Sequence, residues 1–112
     1  MKIKVENEAK KKILRTARYI QTQLGAEARM DFRDEVHRVV KLLRSNPNLG
    51  PVESLLSDAP VPYRSVVVKH LNKIIYWINN DVIEVVDFWD CRREPKKQAK
   101  ETMDSARVLP EP

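Results

Sequence analysis

Charged and apolar residues alternate along Lys2-Ile3-Lys4-Val5-Glu6, the period-two pattern of a short amphipathic strand. The period then lengthens. Ala9, Ile13, Ala17, Ile20 and Leu24 follow one another in steps of three and four, which places them on one stripe of a helix. Asn7 suits the N-cap of that helix and Glu8 its first turn, and Gly25 is placed to end it. A second stripe runs through Ala28, Phe32, Val36, Val39 and Leu43, widened by Val40. Lys41 and Arg44 fall in its last turn, where the helix dipole favours cations, and Asn46-Pro47 stops it. The link between the two stripes is so short that the helices must fold back as an antiparallel hairpin, each with one apolar and one charged face.

Residues 46–62 contain Pro47, Gly50, Pro51, Pro60 and Pro62 and read as a loop, pinned at its middle by Val52, Leu55 and Leu56, that crosses from the helices to a sheet. Three β-branched and aromatic runs follow: Ser65 to Val68, Ile74 to Ile78 and Val82 to Trp89. The breakers between them, Lys69 to Asn72 and Asn79 to Asp81, are hairpin connections. A three-strand antiparallel meander has an apolar side that needs a cover, and the helical hairpin supplies one. The expected fold is α+β: an N-terminal strand, then an antiparallel helical hairpin packed on the meander. The domain is expected to span residues 1–95. Residues 96–112 read as a polar extension, partly helical or disordered, with Ala99, Met103, Ala106, Val108 and Leu109 as its only apolar anchors.

Composition narrows the function classes. A chain of 112 residues is one domain, and 42% hydrophobic with 33% charged residues is globular rather than disordered. A net charge of +5 favours polyanionic partners, whether nucleic acid, an acidic protein segment or an anionic membrane. Cys91 is the single cysteine, so no intrachain disulfide forms, which fits a reducing cytosol. No apolar run is long enough to span a membrane, and Met1-Lys2-Ile3-Lys4-Val5 lacks the apolar core of a signal peptide, so a cytoplasmic location is expected. Two histidines and one cysteine do not make a metal set, two glycines do not make a phosphate loop, and no serine sits in a nucleophile motif; no cofactor is expected. Arg92 and Arg93 beside Cys91 would lower its pKa, though a lone thiol is more often inert.

What remains is a set of cations on the meander: Arg64, Lys69, Lys73, Arg92 and Arg93. Strand alternation puts Arg64 with Val66 and Val68, and Lys73 with Ile75 and Trp77. With the hairpins folded back, Arg64 and the Arg92-Arg93 pair are expected to approach each other. Cations converging on one concave surface hold a phosphodiester and stabilise charge developing at phosphorus. The alternative is that these are solvated strand ends. Lys69, His70 and Trp89 are candidates for RNA contact, Trp89 by stacking on a base unless it is buried. Tyr63 and Tyr76 are the nearest phenols, with Tyr76 expected in the core.

Pro62-Tyr63-Arg64-Ser65, then Lys73-Ile74-Ile75-Tyr76, then Asp87-Phe88-Trp89-Asp90-Cys91-Arg92-Arg93-Glu94-Pro95, in this order and spacing, resemble the RelE/ParE toxins of bacterial type II toxin–antitoxin modules. The resemblance covers roughly residues 2 to 97. It implies a cognate antitoxin as partner, in a possible toxin–antitoxin heterotetramer, and one of two activities. RelE-like members cut mRNA in the ribosomal A site without a metal; ParE-like members share the fold but poison DNA gyrase. Carried over, Arg64, Lys73, Arg92 and Arg93 match the family's basic positions and become the candidate catalytic residues. The sequence departs from the ribonuclease pattern in three places. Asp90-Cys91 stands where several ribonucleases carry a His-containing segment, Lys73 stands where Arg is frequent, and no tyrosine follows Pro95. The leading expectation is a ribosome-dependent mRNA interferase. The alternatives are a gyrase inhibitor, or an inactive homologue that retains only antitoxin binding.

Overall fold

The computed structural model describes residues 1–69 and 71–107. The chain runs β1 (Lys2–Val5), α1 (Asn7–Leu24), α2 (Ala26–Ser45), a single 3₁₀ turn (Ser54–Leu56), β2 (Arg64–Val68), β3 (Asn72–Asn79), β4 (Val82–Asp90) and α3 (Pro95–Arg107). The expected α+β fold is present. β1 joins the meander as a fourth strand, pairing parallel with β4 from Lys2↔Val82 to Val5↔Val85, so the sheet order is β1-β4-β3-β2.

The helical hairpin forms as the apolar stripes dictate. α1 begins one residue earlier than its sequence suggests: the Lys10 amide donates to the Glu6 carbonyl, so Glu6 is the N-cap and Asn7 lies inside the helix. Gly25 closes α1 and opens α2 with φ +97°, a left-handed conformation that side chains resist, and this lets the two helices meet with one residue between them. Phe32, Val36, Val39 and Leu43 of α2 and Ala9 and Ala17 of α1 are buried against Val68, Ile74, Tyr76 and Phe88 of the sheet.

A β-bulge sets which β4 residues reach this core. Ile75 pairs with Asp87 and Tyr76 with Val85, which leaves Val86 as the extra residue. Ile83, Val85 and Phe88 consequently face the helical hairpin, while Val86 and Trp89 face the other way. That second face has its own core of Leu56, Tyr63, Ile75, Trp89 and Ala99. α3 covers it, the helical part of the expected extension, and the expected anchors Ala99 and Met103 pack in or against this core. Gln98, Ala99 and Thr102 are its buried contacts, two of them polar. The expected anchors Val108 and Leu109 lie outside the described residues.

β1 ends at Val5, so the outer edge of β4 beyond Val85 has no strand beside it. Side chains close it. The Asp87 carboxylate accepts the Phe88 amide (2.8 Å). The Gln98 side-chain amide matches the Asp90 peptide group, accepting its N–H and donating to its carbonyl, both at 2.9 Å. Asp87 also reaches both helical layers, 2.7 Å from Lys12 Nζ on α1 and hydrogen-bonded by Thr102 on α3; Thr102 in turn accepts the indole N–H of Trp89 (2.9 Å).

The long loop is organised around Tyr76. Its hydroxyl, fully buried, donates to the Pro47 carbonyl (2.7 Å) and accepts the Gly50 amide (2.9 Å). A Cβ at Gly50 would stand 2.2 Å from the Ser65 carbonyl oxygen, so glycine is required for this close approach. Pro51 to Glu53 then run beside the start of β2, with Ser65 N–H donating to Pro51 O and Glu53 N–H to Tyr63 O. Of the three expected loop pins only Leu56 is buried; Val52 and Leu55 are exposed, because this stretch covers a strand edge with backbone rather than filling a core. Tyr76→Phe keeps the ring but leaves the buried Gly50 amide without an acceptor. It is expected to cost about 1–3 kcal/mol, read as a lower urea midpoint at unchanged m-value.

Candidate functional site

Strand direction decides where the candidate cations lie. β2 and β4 both run antiparallel to β3, so they point the same way, and the start of β2 lies away from the end of β4. Arg64 pairs with Tyr76 at mid-sheet, whereas Arg92 and Arg93 follow Asp90 beside Asn72 at the far pole. The expected approach of Arg64 to the arginine pair does not occur. Arg64 lies on the hairpin side, and its Nη1 donates to the Gly50 carbonyl (2.7 Å).

Lys73 is near the arginine pole but on the opposite face, 3.1 Å from the buried Glu53 carboxylate. Burial alone would raise the Glu53 pKa; the Leu55 amide and the Lys73 ammonium outweigh it and bring the carboxyl below its ordinary range. The stabilisation from this pair is therefore present above the ordinary carboxylate pKa and is lost as pH falls through the lowered one.

Trp89 is 2% exposed with its indole N–H used by Thr102, so it offers no face for stacking on a base. The α3 layer that buries it carries few apolar residues, which is why the sequence left it open. Lys69 is exposed, in a left-handed turn conformation (φ 55°) at the arginine pole. His70 lies outside the described residues. The Cys91 pKa is raised rather than lowered: burial is the main cause, and the carboxylates of Asp90 and Glu53 add to it against the opposing charge of Lys73.

The arginine pole does form a concave site, but with α1 rather than with Arg64 or Lys73. A cavity of about 320 Å³ is lined by Lys12, Arg15, Tyr19, Asp90, Arg92 and Arg93. Arg92 Nε donates to Asp90 Oδ1 at 3.1 Å. Burial would raise the Asp90 pKa, but the hydrogen bonds from Arg92 and the charge of Arg93 hold it below its usual range. Thr16, Tyr19 and Arg92 are shared with a second, mainly apolar trough of about 490 Å³ floored by Ile20, Leu24, Ala28, Phe32, Val68 and Leu71. Part of its lining is apolar and exposed, with Leu24 at 74% and Tyr19 at 55%, and Lys69 and Arg92 stand on its border. Sequence reasoning missed Lys12, Arg15 and Tyr19. Their spacing of three and four, which puts them on one stripe beside the sheet, was the available signal. Among the described residues no group of His, Cys, Asp and Glu is arranged to hold a metal ion, and no helix is long and apolar enough to cross a membrane.

The family model for the ParE toxin of the type II toxin-antitoxin system, parDE, matches residues 3–95. The chain belongs to that family. Among solved structures, one described as the chromosomal ParDE TA system from P. aeruginosa is similar to it in fold, with 15% sequence identity, a TM-score of 0.67, and 80% of this chain and 95% of that chain covered. No curated protein sequence matches the chain. The ParE family match takes in the helical hairpin, the sheet from Ile3 onward and the Arg92-Arg93 turn, and stops at the first residue of α3.

Proposed function

We propose that this ParE-family toxin acts by binding its target rather than by cutting RNA, that the target is DNA gyrase, and that a cognate antitoxin restrains it. The observation that supports this reading is the dispersal of the cations an RNA-cleaving site would use. Arg64 is tied to the Gly50 carbonyl on one face, Lys73 to Glu53 on the other, and Arg92 to Asp90 at the pole. Phosphoryl-transfer chemistry needs its donors aimed at one developing charge; these point at three separate places. Tyr76 adds no base, since its hydroxyl is buried between Pro47 and Gly50, and burial raises its pKa. For the antitoxin, the apolar trough with Lys69 and Arg92 on its border matches a segment of mixed acidic and apolar residues that folds as it binds.

A ribonuclease reading keeps one observation in its favour, the cavity lined by Arg15, Arg92 and Arg93. Two assays on the purified toxin separate the readings. In the first, gyrase supercoils relaxed plasmid, and toxin-dependent loss of supercoiling or accumulation of broken DNA is measured. In the second, mRNA on translating ribosomes is followed in the presence of a chelator. The expected outcome is gyrase inhibition with intact mRNA. Cleaved mRNA that becomes intact with Arg92→Lys or Arg93→Lys, with gyrase unaffected, would replace the gyrase reading by the RelE-like one.

A further inference from the structure

The chain's positive charge is not spread evenly. Residues 92–100 carry five cations, Arg92, Arg93, Lys96, Lys97 and Lys100, against one carboxylate, Glu94, which accounts for four of the five net charges of the whole protein. All five are exposed. Arg92 is paired with Asp90, while Arg93 and the three lysines make no ion pair among the described residues. Helix geometry gathers them: with Gln98, Ala99 and Thr102 turned to the sheet, Lys96, Lys97 and Lys100 fall within about 100° of arc on the outer side of α3. The pairing of Gln98 with Asp90 fixes the first turn of α3 against the end of β4, so the lysines and the arginine turn form one rigid ridge.

This placement works against the helix. The first turn of α3 has no acidic residue and carries Lys96 and Lys97, where the dipole disfavours cations. Apart from Pro95, the ridge shows no exposed apolar side chain; Asp104 and Ser105 are also exposed on α3. Protein interfaces are built on an apolar centre and are depleted in lysine, and membrane-surface helices need an apolar face to insert. Close-set cations on a polar ridge, all but Arg92 without an ion pair among the described residues, suit a phosphodiester backbone, which needs charge and little apolar contact.

We infer that the Arg92–Lys100 ridge is a nucleic-acid backbone site, binding without sequence preference and touching the apolar trough only at Arg92. The inference does not depend on the toxin's target, because the test reads nucleic-acid affinity alone, without gyrase or ribosomes.

The full chain is titrated against a fluorescent 20-base-pair DNA duplex and a 20-nucleotide single-stranded RNA across a salt series, and affinity is taken from anisotropy. The comparison is with Lys96→Gln/Lys97→Gln/Lys100→Gln, whose glutamines keep helix propensity. A second triple variant, Lys10→Gln/Lys11→Gln/Lys41→Gln, removes the same charge from exposed positions on the helical hairpin. Circular dichroism confirms that each is folded. Each lost phosphate contact on duplex DNA makes the slope of log K against log salt shallower by about 0.9. The ridge variant is expected to lose roughly 2 to 3 from the slope and at least tenfold in affinity at low salt, while the hairpin variant stays near the parent. Tighter binding to the duplex or to the RNA identifies the source of the phosphates, and either supports the ridge. Equal losses in the two variants would mean diffuse charge and overturn it. So would binding to phosphatidylserine vesicles with none to either nucleic acid.

Discussion

Asp87→Ala is expected to lower the free energy of unfolding by about 3–5 kcal/mol, the range for breaking a buried charge pair from one side. Asp87 is 2% exposed, and its two oxygens serve Lys12 from α1, Thr102 from α3 and the Phe88 amide beside it. The edge of β4 beyond Val85 has lost its partner strand, and this carboxylate is what ties the helical layers together across it. Alanine leaves the Phe88 amide, the Thr102 hydroxyl and a mostly buried ammonium without their acceptor. Urea denaturation gives the magnitude, and a double-mutant cycle with Lys12→Met isolates the pair. A loss below about 1 kcal/mol, or a coupling near zero, would show that the clamp does not hold the layers.

Phe32→Ala is expected to cost about 3–5 kcal/mol as well, by a different route. The Phe32 ring is buried between the helical hairpin and the sheet and meets Phe88 edge-on, with centroids 6.0 Å apart and planes at 77°. Its removal leaves a cavity that α2 cannot close without moving Val36 and Val39 off the same strands. Phe32→Leu fills part of that space and should cost much less. Equal losses for the alanine and leucine variants would mean the ring's shape, and not its volume, is what the core requires. Because Phe32 also forms part of the trough floor, the alanine variant should bind an antitoxin more weakly even where it remains folded.

The helical hairpin and the meander were legible because each has a local signal. Steps of three and four run from Ala9 to Leu24 and from Ala28 to Leu43, Gly25 stands between them, and Asn-rich turns separate β-branched runs. Two features lacked such a signal. β1 pairs with a strand eighty residues away, from Lys2↔Val82 to Val5↔Val85, and nothing in Lys2 to Val5 names its partner. α3 buries Gln98 and Thr102, polar residues that a search for apolar periodicity passes over. The separation of Arg64 from Arg92 was available in principle, since the first and third strands of any meander run the same way. The expectation took nearness in a motif for nearness in space. Lys73 differs again: its face followed from strand alternation, but Glu53, twenty residues back in a proline-rich loop, gave no sign that it would be buried and paired there.

The Gln98 amide that matches the Asp90 peptide group has a consequence for how copies of this protein can meet. A sheet edge is a template, and an open one invites further strands from neighbouring molecules. Here Gln98 occupies the hydrogen bonds an incoming strand would need on upper β4, and Pro51 with Val52 does the same along the start of β2. β1 is only four residues long and alternates lysine with its apolar residues. Growth of the sheet from molecule to molecule is therefore blunted along these edges, and crowding should drive copies together through side-chain surfaces long before it drives them into fibrils.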